Sequence, residues 1–223
     1  MTRVRLDSRA IERARRHLGG CSDSVIARLS KEIGAVPMGV RRGGSAFAYL
    51  ARAILAQQIS TAAARSIGQR MTDRWGWPWR PEQVLAASDD EMRALGLSRQ
   101  KASYLRDLAA HTNNGLPLQR LSRMTDERVI ETLTVVKGIG RWTAEMYLMF
   151  RLGRGDVLPV DDLGIRSAMR RAYGMRGLPK KERMRRIAEA WRPYRSIACF
   201  YLWTSLDSAR KPKPQPKPRR KPR

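Results

Sequence analysis

Val136-Lys137-Gly138-Ile139-Gly140-Arg141-Trp142-Thr143-Ala144 decides how this chain is read. Before it, Thr125 to Val135 carries apolar residues three and four apart, and from Arg141 to Leu152 the same period resumes. Two amphipathic helices therefore flank a very short glycine turn. The glycines permit a sharp reversal and leave backbone N–H groups uncovered at the start of the second helix, where a phosphate can dock without any side-chain charge. The same residues also suit a plain helix stop followed by a helix start. The turn alone leaves both readings open.

Working outward, Asp156-Val157-Leu158-Pro159-Val160-Asp161-Asp162-Leu163-Gly164-Ile165-Arg166 follows. Asp161 and Asp162 precede an amphipathic run from Leu163 to Ala172 that Gly174 ends, so one of them is expected to cap that helix. The helix dipole favours negative charge at this end, so capping and a catalytic role are compatible. Toward the N-terminus, Phe47, Leu50, Ile54, Leu55 and Ile59 share a helical face, with Ser45 as the cap. Ser88-Asp89-Asp90-Glu91 reads as a capping box opening a short helix closed by Gly96, and Ser98 opens the next. Sustained apolar/polar alternation is absent, which predicts an all-α protein.

Of 223 residues, 42% are hydrophobic, enough for a real core in one domain or two small lobes. Lys+Arg number 45 against 20 Asp+Glu, and the net charge of +25 makes a polyanion the expected partner. Residues 208–223 hold eight of those positive charges, no acid and frequent proline, and are expected to be a disordered basic tail. The remaining chain keeps +17 of the +25 and is basic in its own right. Cys21 and Cys199 are too few for a four-thiolate iron–sulfur cluster or a disulfide framework, and His17 and His111 add little toward zinc. No run is long and apolar enough for a membrane span or a signal peptide, so a soluble, bacterial cytoplasmic, nucleoid-associated protein is expected.

The hairpin, the Gly/Pro-containing loop and the paired acids together resemble the helix–hairpin–helix DNA glycosylase superfamily, and most closely its alkylation-repair branch, the 3-methyladenine DNA glycosylase II type. The resemblance covers roughly residues 45 to 205. It implies a two-lobed helical bundle, with 46–158 forming one lobe and 1–45 joined to 159–207 forming the other.

In that branch the catalytic carboxylate lies twenty residues beyond the hairpin tryptophan, which here is Trp142 and leads to Asp162. Relatives that also cut the strand carry a lysine where Trp142 stands, so the resemblance implies base removal alone. Lys137 is a rival nucleophile on paper, yet its place within the turn suits phosphate contact better. The resemblance makes Trp142 and Trp203 the walls of a base pocket, with Tyr49, Gln57 and Asp161 beside them, although large aromatics at helical spacing also suit a core. Gln58 fits the wedge that fills the gap left by an extruded base. Gly138, Ile139, Gly140, Lys137 and Thr143 are the expected phosphate contacts. The main-chain carbonyls of Thr134, Val136 and Ile139 would hold a structural Na+ or K+, and no cofactor is required.

Two departures stand out: Met146 replaces an aromatic four residues after Trp142, and Leu163 follows the acid. Gly96-Leu97-Ser98-Arg99-Gln100-Lys101-Ala102 also matches the family pattern, with Arg99 and Lys101 read as solvated charges. The expected substrate is an alkylated purine such as 3-methyladenine or 7-methylguanine in double-stranded DNA, attacked by a monomer. The rival is a helix–hairpin–helix module that binds DNA without chemistry. Only the combination of Asp162, Trp142 and Trp203 argues against that rival.

Overall fold

The computed structural model describes residues 6–36 and 43–210, the last four by backbone alone, and among these every regular element is helical. In chain order they are α1 (Ser8–Gly19), α2 (Ser24–Ile33), α3 (Ala46–Ala56), α4 (Thr61–Trp75), α5 (Pro81–Ala86), α6 (Asp89–Ala94), α7 (Arg99–Asn113), α8 (Asp126–Thr134), α9 (Arg141–Met146), α10 (Leu163–Ala172), α11 (Lys181–Ile187) and α12 (Arg195–Arg210). A π-helical turn, Tyr147–Arg151, continues α9, and 3-10 turns occupy Leu118–Arg123 and Ala188–Trp191.

Polar caps set most of the starts. Ser45 accepts from the Ala48 N–H at 3.1 Å, Ser88 from Glu91 at 3.1 Å, Ser98 from Lys101 at 3.2 Å and Thr125 from Arg128 at 3.2 Å. Each such cap contributes about 1 kcal/mol.

Two compact units result. Unit one is Leu6 with the described part of Gly39–Pro159, and unit two is the described part of Asp7–Met38 and Val160–Arg223. The segment ahead of α3 belongs to unit one because Arg151 donates to the Gly44 carbonyl at 2.7 Å and the Gly43 carbonyl at 3.3 Å. Leu6 joins it through its N–H to the Gly153 carbonyl.

In unit one, α7 packs on α3 and α5, and α8 packs on α9. Leu50, Ile54, Leu105, Leu108, Val129 and Leu133 have no exposed surface. Burial of each contributes about 1.5–3 kcal/mol, which outweighs the modest helix propensity of the β-branched members. α3 stops at Ala56, so Ile59 lies beyond it rather than on its apolar face as expected. Gln58 has φ +56°, a left-handed conformation that no helix continues through.

In unit two, α12 packs on α2 and α10, and α1 on α2. Asp23 ties its two chain segments together. One carboxylate oxygen caps α2 through the Val25 and Ile26 N–H groups, while the other accepts from the Tyr173 hydroxyl at 2.6 Å and the Trp191 indole at 3.0 Å. The Tyr173 hydroxyl is pushed far above its ordinary pKa, by burial first and then by this bond to a carboxylate.

The helix α12 runs to Arg210, so the tail does not begin at Ser208 as expected. Proline disfavours a helical residue before it, and the first tail proline is Pro212, which leaves Ser208 to Arg210 free to continue the helix. Residues 211–223 lie outside the described residues. No helix among the described residues is long and apolar enough to cross a membrane.

Candidate functional site

Asp162 is the N-cap of α10, with φ −70° and ψ 116°. It is 8% exposed, and among the described residues only Glu145 is a comparably buried carboxylate. Its Oδ1 accepts from the Ile165 N–H at 2.7 Å and from the Trp203 indole N–H at 3.0 Å. The acid is thus fixed from two directions, by its own helix and by a tryptophan of α12. Trp203 in turn packs edge-on against Phe200, with ring centroids 5.4 Å apart.

Gly164 makes this closeness possible, and the sequence reading did not single it out. A Cβ on Gly164 would lie 3.0 Å from both Asp162 Oδ1 and Trp203 Nε1, tighter than side chains ordinarily approach. The only sequence signal is its position, two residues after the acid.

The neighbouring Asp161 is exposed and pairs with Lys181 at 2.5 Å. Of the two acids, the cap is Asp162. Glu145, the other buried carboxylate, faces the Arg141 guanidinium at 3.4 Å. Arg141 also grips Glu127 with two nitrogens, at 2.7 and 2.9 Å, and so braces the start of α9 against α8.

In the hairpin, Gly138 adopts φ +81°, and a Cβ there would penetrate the Tyr104 ring at 2.2 Å. Only glycine fits, for backbone and packing reasons together. Gly140 differs. It is the N-cap of α9 with φ −89°, and a Cβ on it would meet nothing within 4 Å. The protein's own packing does not demand glycine at that position.

No side chain caps α9, and its first internal bond is from Ala144 N–H to the Gly140 carbonyl. The N–H groups of Arg141, Trp142 and Thr143 are the donors that a helix start leaves without intrahelical partners. Ile139 is buried, and its N–H closes the turn on the Val136 carbonyl at 3.1 Å. The main chain of Lys137 is held while its side chain stays exposed. Its N–H donates to Asp107 at 2.8 Å, and its ammonium lies 3.7 Å from the same carboxylate.

Trp142, second in α9, is 43% exposed, whereas an aromatic at that helical position more often belongs to a core. Tyr49 stacks edge-on with Tyr147 at 5.4 Å and lines a cavity of about 520 Å³ with Arg52, Arg65 and Trp77. Burial pushes the Tyr147 hydroxyl up to about 12, against the lowering influence of Arg151.

Gln57, expected at the pocket wall, has a structural bond. Its amide donates to the Gly138 carbonyl at 2.7 Å, which ties the end of α3 to the hairpin. Gln58 is exposed, as a wedge must be. Lys101 is not a solvated charge. Its ammonium donates to the carbonyls of Ile54, Leu55 and Gln57 at 3.0, 2.7 and 2.6 Å. A helix end with no partners for its last carbonyls draws a cation inward, which sequence spacing could not foretell.

Residues 51–193 match the HhH-GPD superfamily of base excision DNA repair proteins. The chain is 34% identical over 211 residues to DNA-3-methyladenine glycosylase 1 of Schizosaccharomyces pombe, covering 92% of each sequence. It is 30% identical over 197 residues to DNA-3-methyladenine glycosylase 2 of Escherichia coli, covering 82% of this chain and 66% of that one. Its structure is similar to that of the S. pombe 3-methyladenine DNA glycosylase in complex with abasic DNA, with a TM-score of 0.79 over 90% of this chain and 100% of that chain.

Proposed function

Because the chain belongs to the HhH-GPD superfamily of base excision DNA repair proteins, we propose that it is a monofunctional DNA N-glycosylase that removes alkylated purines, such as 3-methyladenine and 7-methylguanine, from double-stranded DNA. The observation that carries this reading is Asp162, a buried carboxylate held at a helix N-terminus by the Ile165 and Trp203 N–H groups. Capping alone would explain such a group, as Asp23 shows in α2; it is the combination with Trp142 and Trp203 that favours an enzyme over a module that only binds DNA.

Cleaving an N-glycosidic bond builds positive oxocarbenium character on the deoxyribose. A fixed anion beside the sugar stabilises that transition state more than the ground state. Asp162 supplies the anion, and the two N–H donors keep it from reorienting as the charge develops. The same carboxylate orients the attacking water or accepts its proton.

No amine stands at position 142, so no Schiff base forms there and the strand stays intact. Lys137 lies five residues earlier, within the hairpin turn, where phosphate contact suits it better than attack on the sugar. Alkylated purines such as these carry positive charge and a labile bond, and the electron-rich faces of Trp142 and Trp203 suit them by stacking and cation–π attraction.

The hairpin holds the DNA backbone through the N–H groups at the start of α9, and the open space around Gly140 lets a phosphate approach the main chain. Hard oxygen donors suit a monovalent cation, and the Val136 carbonyl keeps a second lone pair beside its bond from Ile139. Thr134, Val136 and Ile139 would hold such an ion through their carbonyls. It would add positive charge near the phosphate.

The test is a single-lesion duplex incubated with the protein and then treated with alkali. Release of the base and alkali-dependent strand breaks are expected. Strand breaks without alkali would overturn the monofunctional assignment, and no release from any alkylated purine would leave the binding-module reading.

A further inference from the structure

The end of α3 is built in an unusual way. Helices that finish in a left-handed residue ordinarily place glycine there, because a side chain crowds the following carbonyl. Here the left-handed residue is Gln58, with φ +56°, the only non-glycine with positive φ among the described residues. A residue in that conformation persists only where its surroundings over-determine it.

Three neighbours within unit one hold the residues that lead into Gln58. The Lys101 ammonium spans the Ile54, Leu55 and Gln57 carbonyls, with all three of its N–H donors matched by acceptors within 3.0 Å. The Gln57 amide donates to the Gly138 carbonyl. Gly138 in turn rests against the Tyr104 ring, whose hydroxyl accepts from Gln100. Lys101 and Tyr104 are both on α7, so one helix holds the end of α3 and the hairpin together.

We propose that Lys101 is a positioning residue for base extrusion: its ammonium clamps the three carbonyls so that Gln58 is presented, already in its left-handed conformation, as the wedge. The inference rests on the proposed wedge role of Gln58. Without the clamp the last carbonyls of α3 turn to solvent, and Gln58 relaxes to ordinary backbone angles. The wedge must then be ordered at the moment of extrusion, and that cost falls on duplex DNA alone. A lesion in an unpaired bulge needs no wedge, because little stacking opposes its release. Burial lowers the Lys101 pKa, in keeping with an ammonium drawn partly out of water by this arrangement.

The experiment compares Lys101→Met and Gln58→Ala in the full-length chain. The readouts are single-turnover excision from a duplex lesion, excision from the same lesion in a bulge, and fluorescence of a 2-aminopurine beside the lesion. Lys101→Met is expected to slow duplex excision about tenfold, to leave bulge excision within about twofold, and to lower the fluorescence gain as Gln58→Ala does. If Lys101→Met does not fold, Lys101→Gln is read for the same duplex-to-bulge ratio.

Equal losses on both substrates would make Lys101 merely structural and overturn the inference. An undiminished fluorescence gain in Gln58→Ala would remove the wedge reading and the inference with it. A loss in Gln58→Ala without one in the Lys101 variants would overturn the inference and leave the wedge reading standing.

Discussion

Asp162→Asn separates the two roles that one side chain combines. Oδ1 accepts from Ile165 N–H and Trp203 Nε1–H, and an asparagine carbonyl oxygen in the same place accepts both. Asparagine also equals aspartate as an N-cap. What is lost structurally is the charge. Its interaction with the helix dipole is worth about 0.3–1 kcal/mol, rising to about 2 kcal/mol in partly buried sites. The expected cost to stability is therefore about 1–2 kcal/mol, or a few degrees in Tm for a chain of this size.

Chemistry suffers more. Removing one preorganised electrostatic contact to a developing charge costs about 2.7–4 kcal/mol, or on the order of 10²–10³ in rate. Asp162→Ala adds a structural penalty, because it leaves the Ile165 and Trp203 donors without their acceptor, at about 1–3 kcal/mol. Thermal unfolding, anisotropy on a lesion duplex and single-turnover excision measure the three quantities. The Asn variant should fold and bind nearly as the parent does and excise at least a hundredfold more slowly. Excision by Asp162→Asn within about threefold of the parent rate would refute the electrostatic argument. So would an equal loss in Asp161→Asn, since the exposed Lys181 pair that it breaks is worth only about 0–1 kcal/mol.

The two hairpin glycines should respond oppositely. Gly138→Ala combines left-handed strain of about 1–2 kcal/mol with a clash on Tyr104 worth about 1–3 kcal/mol, and should lower Tm markedly. Gly140→Ala enters open space and should leave Tm nearly unchanged while weakening DNA binding; unfolding curves and anisotropy would check both. Deleting residues 211–223 removes seven Lys and Arg, so the slope of log affinity against log salt should become shallower, and an unchanged slope would exclude the tail from DNA binding. Tyr147 contributes an alkaline dependence: above pH 10 the unfolded chain loses this proton before the folded one, so stability is full below pH 10 and falls as pH rises toward about 12. Tyr147→Phe should flatten that part of a urea-midpoint-against-pH profile.

Local rules made much of the fold legible. Ser45, Ser88 and Ser98 cap the helices expected of them because an N-cap bond joins residues only three apart. The helix from Leu163 to Ala172 was readable for the same reason, with an acid at its head and apolar residues at its period. Some contacts that fix the structure join residues far apart in the chain, beyond the reach of local rules. Lys101 read as a solvated charge because its acceptors lie 44 to 47 positions earlier. Gln57 is held by Gly138 across 81 positions, and Asp23 meets Tyr173 and Trp191 across 150 and 168.

The sequence by itself determined an all-helical, strongly basic chain with a glycine hairpin and a capping acid, since period, caps and charge are properties of short segments. The resemblance had already pointed to Asp162; tertiary structure alone decided that Trp203 comes to it over Gly164 and that Lys101 closes α3. Orphaned helix-end groups and buried charges must find partners once water is excluded, and which side chain arrives is set by packing rather than by spacing along the chain.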